Sequence, residues 1–226
     1  MSKCILTYSF TLAIFAFGCS SFQTNDTVEL DDTSTNVGLP QESTLSPEEY
    51  ILWSGRPDNF LIREKDISEF NYKIKYLPTE QLILNELNKS GLEVNLENIT
   101  RIGQEYQGME YFEMRIQVNG FNDELAKYQT ADLSQYQTRI AHMSFAMQRN
   151  ITLSTELKEN IQCKLFHFER TYGITPYTTF LFAFSKEDIA DAYDRTVVYD
   201  DELFNKGRLK FNWSFENMEL PKIANL

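Results

Sequence analysis

The chain has 226 residues and a formal net charge of -12 at pH 7, from 33 acidic and 21 basic side chains. This acidic balance argues against nucleic acid as a partner, because nucleic-acid binding depends on neutralising phosphates. It also argues against docking on anionic lipid by charge alone. Aromatic residues are abundant, with 17 Phe and 12 Tyr, and such enrichment favours β-structure.

The first residues follow the charged, apolar and then small order of a secretory signal peptide. Lys3 supplies the positive charge, residues 5–17 are mostly apolar, and Gly18 and Cys19 follow directly. The apolar run is shorter than the roughly 20 residues of a membrane-spanning helix. Gly18 followed by Cys19 resembles the lipobox of bacterial lipoproteins. The match covers only the start of the chain and departs from the family pattern just before Gly18.

This resemblance implies that the chain is cleaved between Gly18 and Cys19 and that Cys19 carries several acyl chains, which together give a durable membrane anchor. Ser20 after the Cys implies the outer membrane by the family's sorting rule, and leaves the leaflet open. The alternatives are a plain signal peptide cleaved near Gly18, or an uncleaved anchor. We expect a signal peptide over 1–18.

The mature chain then divides into a tether and one domain. Residues 19–45 are rich in Ser, Thr, Asn and Asp and are typical of a flexible tether. Residues 46–226 are long enough for a single globular β-rich domain. Cys4 leaves with the signal and Cys19 is lipidated, so Cys163 stands alone and no intramolecular disulfide is expected.

Hydrophobic spacing predicts mixed elements between residues 46 and 118. In chain order we expect a short helix with a capping box at Ser46, Pro47 and Glu49, a strand over 67–76, a helix from 79 to about 89, an ambiguous segment over 95–105 that suits a second helix, and a strand over 111–118.

The remainder of the chain reads as a series of strands after a weakly patterned segment over 121–136. The predicted elements are a long strand over 139–152 with Ala141, Met143, Phe145 and Met147 on one face, strands over 161–172 and 178–184 that form a hairpin, a helical turn capped by Ser185, a short strand over 196–199 and a final strand over 209–216.

These elements predict a mainly β fold. Strands that are apolar on one face and polar on the other favour antiparallel sheets that bury one face each. We therefore predict an antiparallel β-sandwich with one or two short helical insertions near residues 79–105. The alternative is an α+β arrangement in which those helices lie across one sheet.

The densest polar cluster on a predicted strand surrounds His167 and Glu169. Residues two apart on a strand share a face, so this pair could ligate a metal or act in acid–base chemistry if a third ligand joined it. His142, Asp200 and Asp201 are the candidates for that third ligand. The competing interpretation is a solvated sheet face that also includes Lys164.

Other groups suggest weaker sites. Arg170 suits stacking on aromatic rings, and Trp213 falls on an apolar face and suits the core. An acidic stretch could offer oxygen ligands to Ca²⁺, although its spacing differs from an EF-hand loop; it comprises Glu187, Asp188, Asp194, Asp200, Asp201 and Glu202. No nucleophile motif or phosphate-binding Gly loop is present, so we expect no cofactor.

Three functions remain open. The first is an outer-membrane lipoprotein that binds an envelope protein or assists assembly. The second is a cell-surface module that binds carbohydrate or another small ligand, which predicts a concave patch with exposed aromatic side chains. The third, an envelope hydrolase, requires His167, Glu169 and a third polar group to converge, and nothing in the sequence assembles a reaction.

Overall fold

The structure, a computed structural model, describes residues 43–224. The predicted signal peptide, Cys19 and nearly all of the predicted tether lie outside this range. The strands are β1 (Thr44–Leu45), β2 (Ile62–Ile67), β3 (Phe70–Leu77), β4 (Met109–Val118), β5 (Ile151–Ser154), β6 (Ile161–Gln162), β7 (Leu165–Glu169), β8 (Tyr177–Ser185), β9 (Asp194–Asp201), β10 (Gly207–Ser214) and β11 (Lys222–Ile223). The helices are α1 (Pro47–Ser54), α2 (Thr79–Ser90), α3 (Leu96–Glu105), α4 (Leu133–Ala141) and α5 (Lys186–Ile189).

Two antiparallel sheets account for most of the strands. One has the order β2-β3-β4-β8-β7 and the other the order β10-β9-β5-β6. β1 and β11 form a separate parallel pair, which brings the two ends of the described chain together. The predicted fold class is confirmed: the fold is mainly β, and the two sheets pack face to face.

A core rich in aromatic residues lies between the sheets, because alternate side chains of each strand point inward. Phe112 of β4 lies 5.5 Å from Trp213 of β10, and Tyr72 of β3 lies 6.2 Å from Tyr199 of β9, measured between ring centroids. Phe180 and Phe182 of β8 are fully buried in the same cluster. The prediction that Trp213 belongs to the core is confirmed.

Helices α2 and α3 occupy the predicted insertion. Asn95 caps α3 by accepting a hydrogen bond from the Asn98 backbone at 2.9 Å, which resolves the ambiguous segment as a helix. Leu82 of α2 packs on Tyr111 of β4 at one end of the outer face of the five-stranded sheet. The capping box predicted at Ser46 is also confirmed.

Buried polar contacts join the two sheets. Glu110 of β4 and Arg195 of β9 form a bidentate salt bridge with two N···O distances of 2.9 Å. Asp201, at the end of β9 and only 4% exposed, accepts hydrogen bonds from Tyr72 at 2.6 Å and from Tyr199 at 3.1 Å. Burial, and then the Asp201 carboxylate, raise the pKa of Tyr72, which keeps its phenol protonated as the donor.

The long strand predicted over 139–152 is wrong. Its first part belongs to α4, which continues through a π-type turn (His142–Ala146) and a 3-10 turn (Met147–Asn150) before β5 begins. The side chains that pack inward are Tyr136, Ile140, Met143 and Met147. Their spacing of three and four residues is helical, and Phe145 of the predicted apolar face is 86% exposed.

The other strand predictions need smaller corrections. The predicted hairpin exists as β7 and β8, but the strand over 161–172 is split, because β6 belongs to the other sheet. Tyr172 lies in the β7–β8 loop with a φ of 52°. Edge strand β2 was missed before Ile67, since four charged residues in a row mask its alternation. The helical turn predicted after Ser185 exists as α5, but the Ser185 side chain makes no capping hydrogen bond among the described residues.

We expect Asp201 to carry much more stability than its neighbour Asp200. Asp201→Asn keeps the size of the side chain but leaves buried donors with a weaker acceptor, so the free energy of unfolding should fall by about 2–3 kcal/mol. Asp200→Asn is the matched control: Asp200 forms an exposed ion pair with Arg208, and its loss should change stability by less than about 1 kcal/mol. Urea denaturation measures both, and equal effects would contradict this role of Asp201.

Candidate functional site

His167 and Glu169 lie on the same exposed face of edge strand β7, as predicted. The structure does not bring the suggested third ligands to them. Asp201 contacts Tyr72 on β3, and β4 and β8 separate β3 from β7, a span of about 14 Å at the usual strand spacing. Among residues 43–224 no three His, Cys, Asp or Glu side chains gather in a way that could hold a metal ion.

The acidic stretch is dispersed among separate structural contacts. Asp188 pairs with Lys158 at 2.6 Å and with Lys164 at 3.5 Å. Asp194 accepts a hydrogen bond from the Ser214 hydroxyl, and Asp200 pairs with Arg208.

Arg170 stacks on aromatic rings, as predicted. Its guanidinium lies 4.4 Å from the ring centroid of Tyr172 and 5.7 Å from that of Tyr136. It also donates to the buried carboxylate of Glu124 at 2.9 Å, and the Tyr136 hydroxyl donates to the same carboxylate at 2.8 Å. This cluster ties the β7–β8 loop to α4 and to the 3-10 turn that follows Glu124. Its polar groups are engaged with one another, which favours a structural role.

A surface cavity of about 370 Å³ that is widely open to solvent, called the α4 cavity below, lies between α4 and the β9–β10 turn (residues 202–206). Its volume falls within the usual range of small-ligand sites. The cavity is lined by Ser134, Gln135, Thr138, Arg139, His142, Glu202 and Leu203.

The first wall of the cavity is α4 with its π-type turn. The helix begins after Asp132, whose side chain accepts a hydrogen bond from the Gln135 backbone at 2.8 Å. Tyr136, Ile140 and Met143 pack on the core and hold the helix against the sandwich. The turn at His142 is wider than an α-helical turn, and such turns occur frequently at functional sites.

The second wall depends on Asp201. Its Oδ1 atom accepts hydrogen bonds from the backbone N–H groups of Leu203 and Phe204, both at 3.0 Å. These bonds fix the shape of the β9–β10 turn. The ring of Phe204 then supports the guanidinium of Arg139 at 5.1 Å. The same buried carboxylate therefore links the sheets and shapes one side of the cavity.

Arg139 and Glu202 bring opposite charges to the two walls. Arg139 donates through one terminal nitrogen, Nη1, to the backbone carbonyls of Ala126 and Tyr128. Burial lowers the pKa of Arg139. Within residues 43–224 neither side chain forms an ion pair, and the Glu202 carboxylate accepts no hydrogen bond.

His142 adds a neutral polar group. Burial lowers its pKa, while the charges of Glu202 and Asp201 raise it and that of Arg149 lowers it. Its Nε2 atom is buried and, within the described part of the chain, has no hydrogen-bond partner, which disfavours the doubly protonated ring. The structure thus places His142 on the lining of this cavity.

From the sequence alone, His142 and Glu202 are only possible metal ligands, and Arg139 has no predicted role in a site. The capping pattern at Asp132, followed by helical apolar spacing, is a sequence signal for α4, which forms only one wall of the cavity. Comparison with protein-family models, curated proteins and solved structures returns no match for the chain. None of the helices in residues 43–224 has the length and apolar character needed to cross a membrane.

We expect His142 to make folding stability depend on pH. Its pKa is lower in the folded state than the unfolded value near 6.5, so its contribution is present above that pH and is lost as the pH falls through 6.5 towards the folded value. Between pH 7.5 and 5.5 the wild type should lose more stability than His142→Gln.

The matched control is His167→Gln, because the chain has only two His residues and His167 is exposed. This variant should retain the wild-type loss when unfolding by urea is compared at the two pH values. A His142→Gln profile that coincides with the wild type would show that His142 is protonated equally in both states.

Proposed function

We propose that this protein is an outer-membrane lipoprotein that acts as a binding module of the cell envelope and takes up a small polar ligand in the α4 cavity. The observation that supports ligand binding is the convergence of Arg139, His142 and Glu202 on one cavity, each with polar atoms that the described residues leave without partners. Arg139 and His142 are half-buried, where polar groups normally find partners, and a ligand would supply them; Glu202 is exposed at the rim of the cavity.

The membrane part of the proposal rests on Gly18 and Cys19. A lipidated Cys19 and a tether over 19–45 would hold the sandwich near the membrane while leaving it free to meet ligands in solution. The parallel pair of β1 and β11 fixes the point at which such a tether would leave the domain. The α4 cavity lies at the turn end of the β9–β10 hairpin. Trp213 and Ser214 lie at the other end of that hairpin.

Binding to an envelope protein is the second candidate. Phe145 in the π-type turn and Ile174 in the β7–β8 loop are each 86% exposed, and large apolar side chains at the surface are common anchors of protein interfaces. A carbohydrate platform has less support, because the α4 cavity has no aromatic lining and both Trp53 and Trp213 are buried.

Replacing Cys19 tests the anchor. Cys19→Ala should move the protein from the membrane fraction to the soluble fraction, because no acyl chain can attach. Cys4→Ala is the matched control and should leave the protein in the membrane fraction, since Cys4 is removed with the signal. Fractionation with a metabolic palmitate label measures both. A wild-type protein that takes no label would show that the anchor is absent.

Filling the cavity tests ligand binding. Thr138 is exposed and lines the cavity, so Thr138→Trp should occupy the space and weaken binding of any cavity ligand at least about tenfold. Thr100→Trp, at an exposed position of α3, is the control and should bind as the wild type does. Calorimetry of a ligand found in a thermal-shift screen checks this, and equal binding by both variants would place the ligand elsewhere.

A further inference from the structure

The charges around the α4 cavity are arranged so that a ligand must satisfy both signs. Arg139 belongs to α4 and Glu202 to the β9–β10 turn, so the cation and the anion approach from different elements. They do not neutralise each other, because no ion pair joins them. Each charge remains available to a group that enters the cavity.

The Arg139 side chain is held ready for an anion. Its Nη1 atom is bonded to the carbonyls of Ala126 and Tyr128, and its plane lies over Phe204. Nε and Nη2 make no hydrogen bond to the described residues. Two neighbouring donors of a fixed guanidinium match the two oxygens of a carboxylate, which is the pairing that arginine favours.

Glu202 provides the complementary end. Its carboxylate is exposed and accepts no hydrogen bond from the described residues. A ligand ammonium could donate to it. The ring of His142 lies on the same cavity, and its Nδ1 atom likewise makes no hydrogen bond to the described residues.

We propose that the α4 cavity binds a small zwitterion of the α-amino acid or short-peptide class, with its carboxylate at Arg139 and its ammonium at Glu202. This inference rests on the proposed function and specifies the ligand. Ser134, Gln135 and Thr138 add polar residues to the lining of the same cavity.

Other ligand classes match the cavity less well. A simple anion would be attracted by Arg139 but repelled by Glu202. A simple cation would be attracted by Glu202 but repelled by Arg139. A neutral sugar would bond to the hydroxyl groups and leave both charges without counterions. The volume of about 370 Å³ is near the lower end for small-ligand sites, which suits an amino acid or dipeptide.

The test uses the full-length protein and two sets of probes. The first set is the twenty standard L-amino acids with glycylglycine and L-alanyl-L-alanine; the second is glucose, galactose and N-acetylglucosamine. A thermal-shift screen at millimolar concentration selects the probes that stabilise the protein, and calorimetry measures their affinity. We expect a member of the first set to bind, and its N-acetyl and its carboxamide derivatives each to bind at least about tenfold more weakly.

The Glu202→Gln variant locates the ammonium. It should weaken binding of the amino acid at least about tenfold but should not weaken the N-acetyl derivative further, because that derivative has no ammonium to lose. Glu97→Gln, an exposed position of α3, is the matched control and should bind as the wild type does. Glu202 is exposed, so this test does not depend on a variant that fails to fold.

The outcomes separate the inference from the proposed function. Binding of a sugar that Thr138→Trp abolishes would keep the cavity as a binding site and overturn the zwitterion. Amino acid binding that Glu202→Gln leaves unchanged would overturn it as well. If no probe of either set binds, or if Thr138→Trp has no effect on a probe that does, both the inference and the ligand-binding part of the proposed function fail.

Discussion

The buried carboxylate of Asp201 is the contact that connects the two sheets to the second wall of the α4 cavity. It accepts four hydrogen bonds, from the hydroxyls of Tyr72 and Tyr199 and from the backbone of Leu203 and Phe204. Burying a charge is unfavourable unless it is fully bonded, and these donors meet that condition. One side chain thereby joins β3 to β9 and fixes the turn that follows.

That arrangement explains why the candidate site lies where it does. Asp201 accepts hydrogen bonds from the backbone of the β9–β10 turn. The turn fixed in this way places Glu202 on the cavity and Phe204 against Arg139. The opposite wall, α4, is held by apolar packing and ends in a π-type turn that places His142 beside the cavity. The sandwich supports both walls, and pre-organised walls would limit the entropy lost if a ligand binds there, as we propose.

The sequence predicted the sandwich because apolar and polar residues alternate in several strands, as in β10 and in β4 from Phe112 onward, and the inward-facing aromatic side chains form the core. The strand prediction failed over 139–152. Met143 and Met147 in that segment fit both a period of two and a helical spacing, and their packing on the core stabilises the helical form. The cavity was beyond prediction for a related reason. Arg139 and Glu202 are 63 positions apart, and only the packing of α4 on the β9–β10 turn brings them to one site.

Hydrogen exchange at individual backbone amides would test most directly whether Asp201 organises this region. Leu203 and Phe204 lie in a surface turn yet donate to a buried carboxylate, so their amides should exchange far more slowly than that of Asn205 in the same turn. Slow exchange at both, together with protection of the β9 amides, is the result that this account predicts. Exchange of Leu203 and Phe204 as fast as that of Asn205 would mean that the turn is not fixed by Asp201 and that the cavity has no rigid second wall.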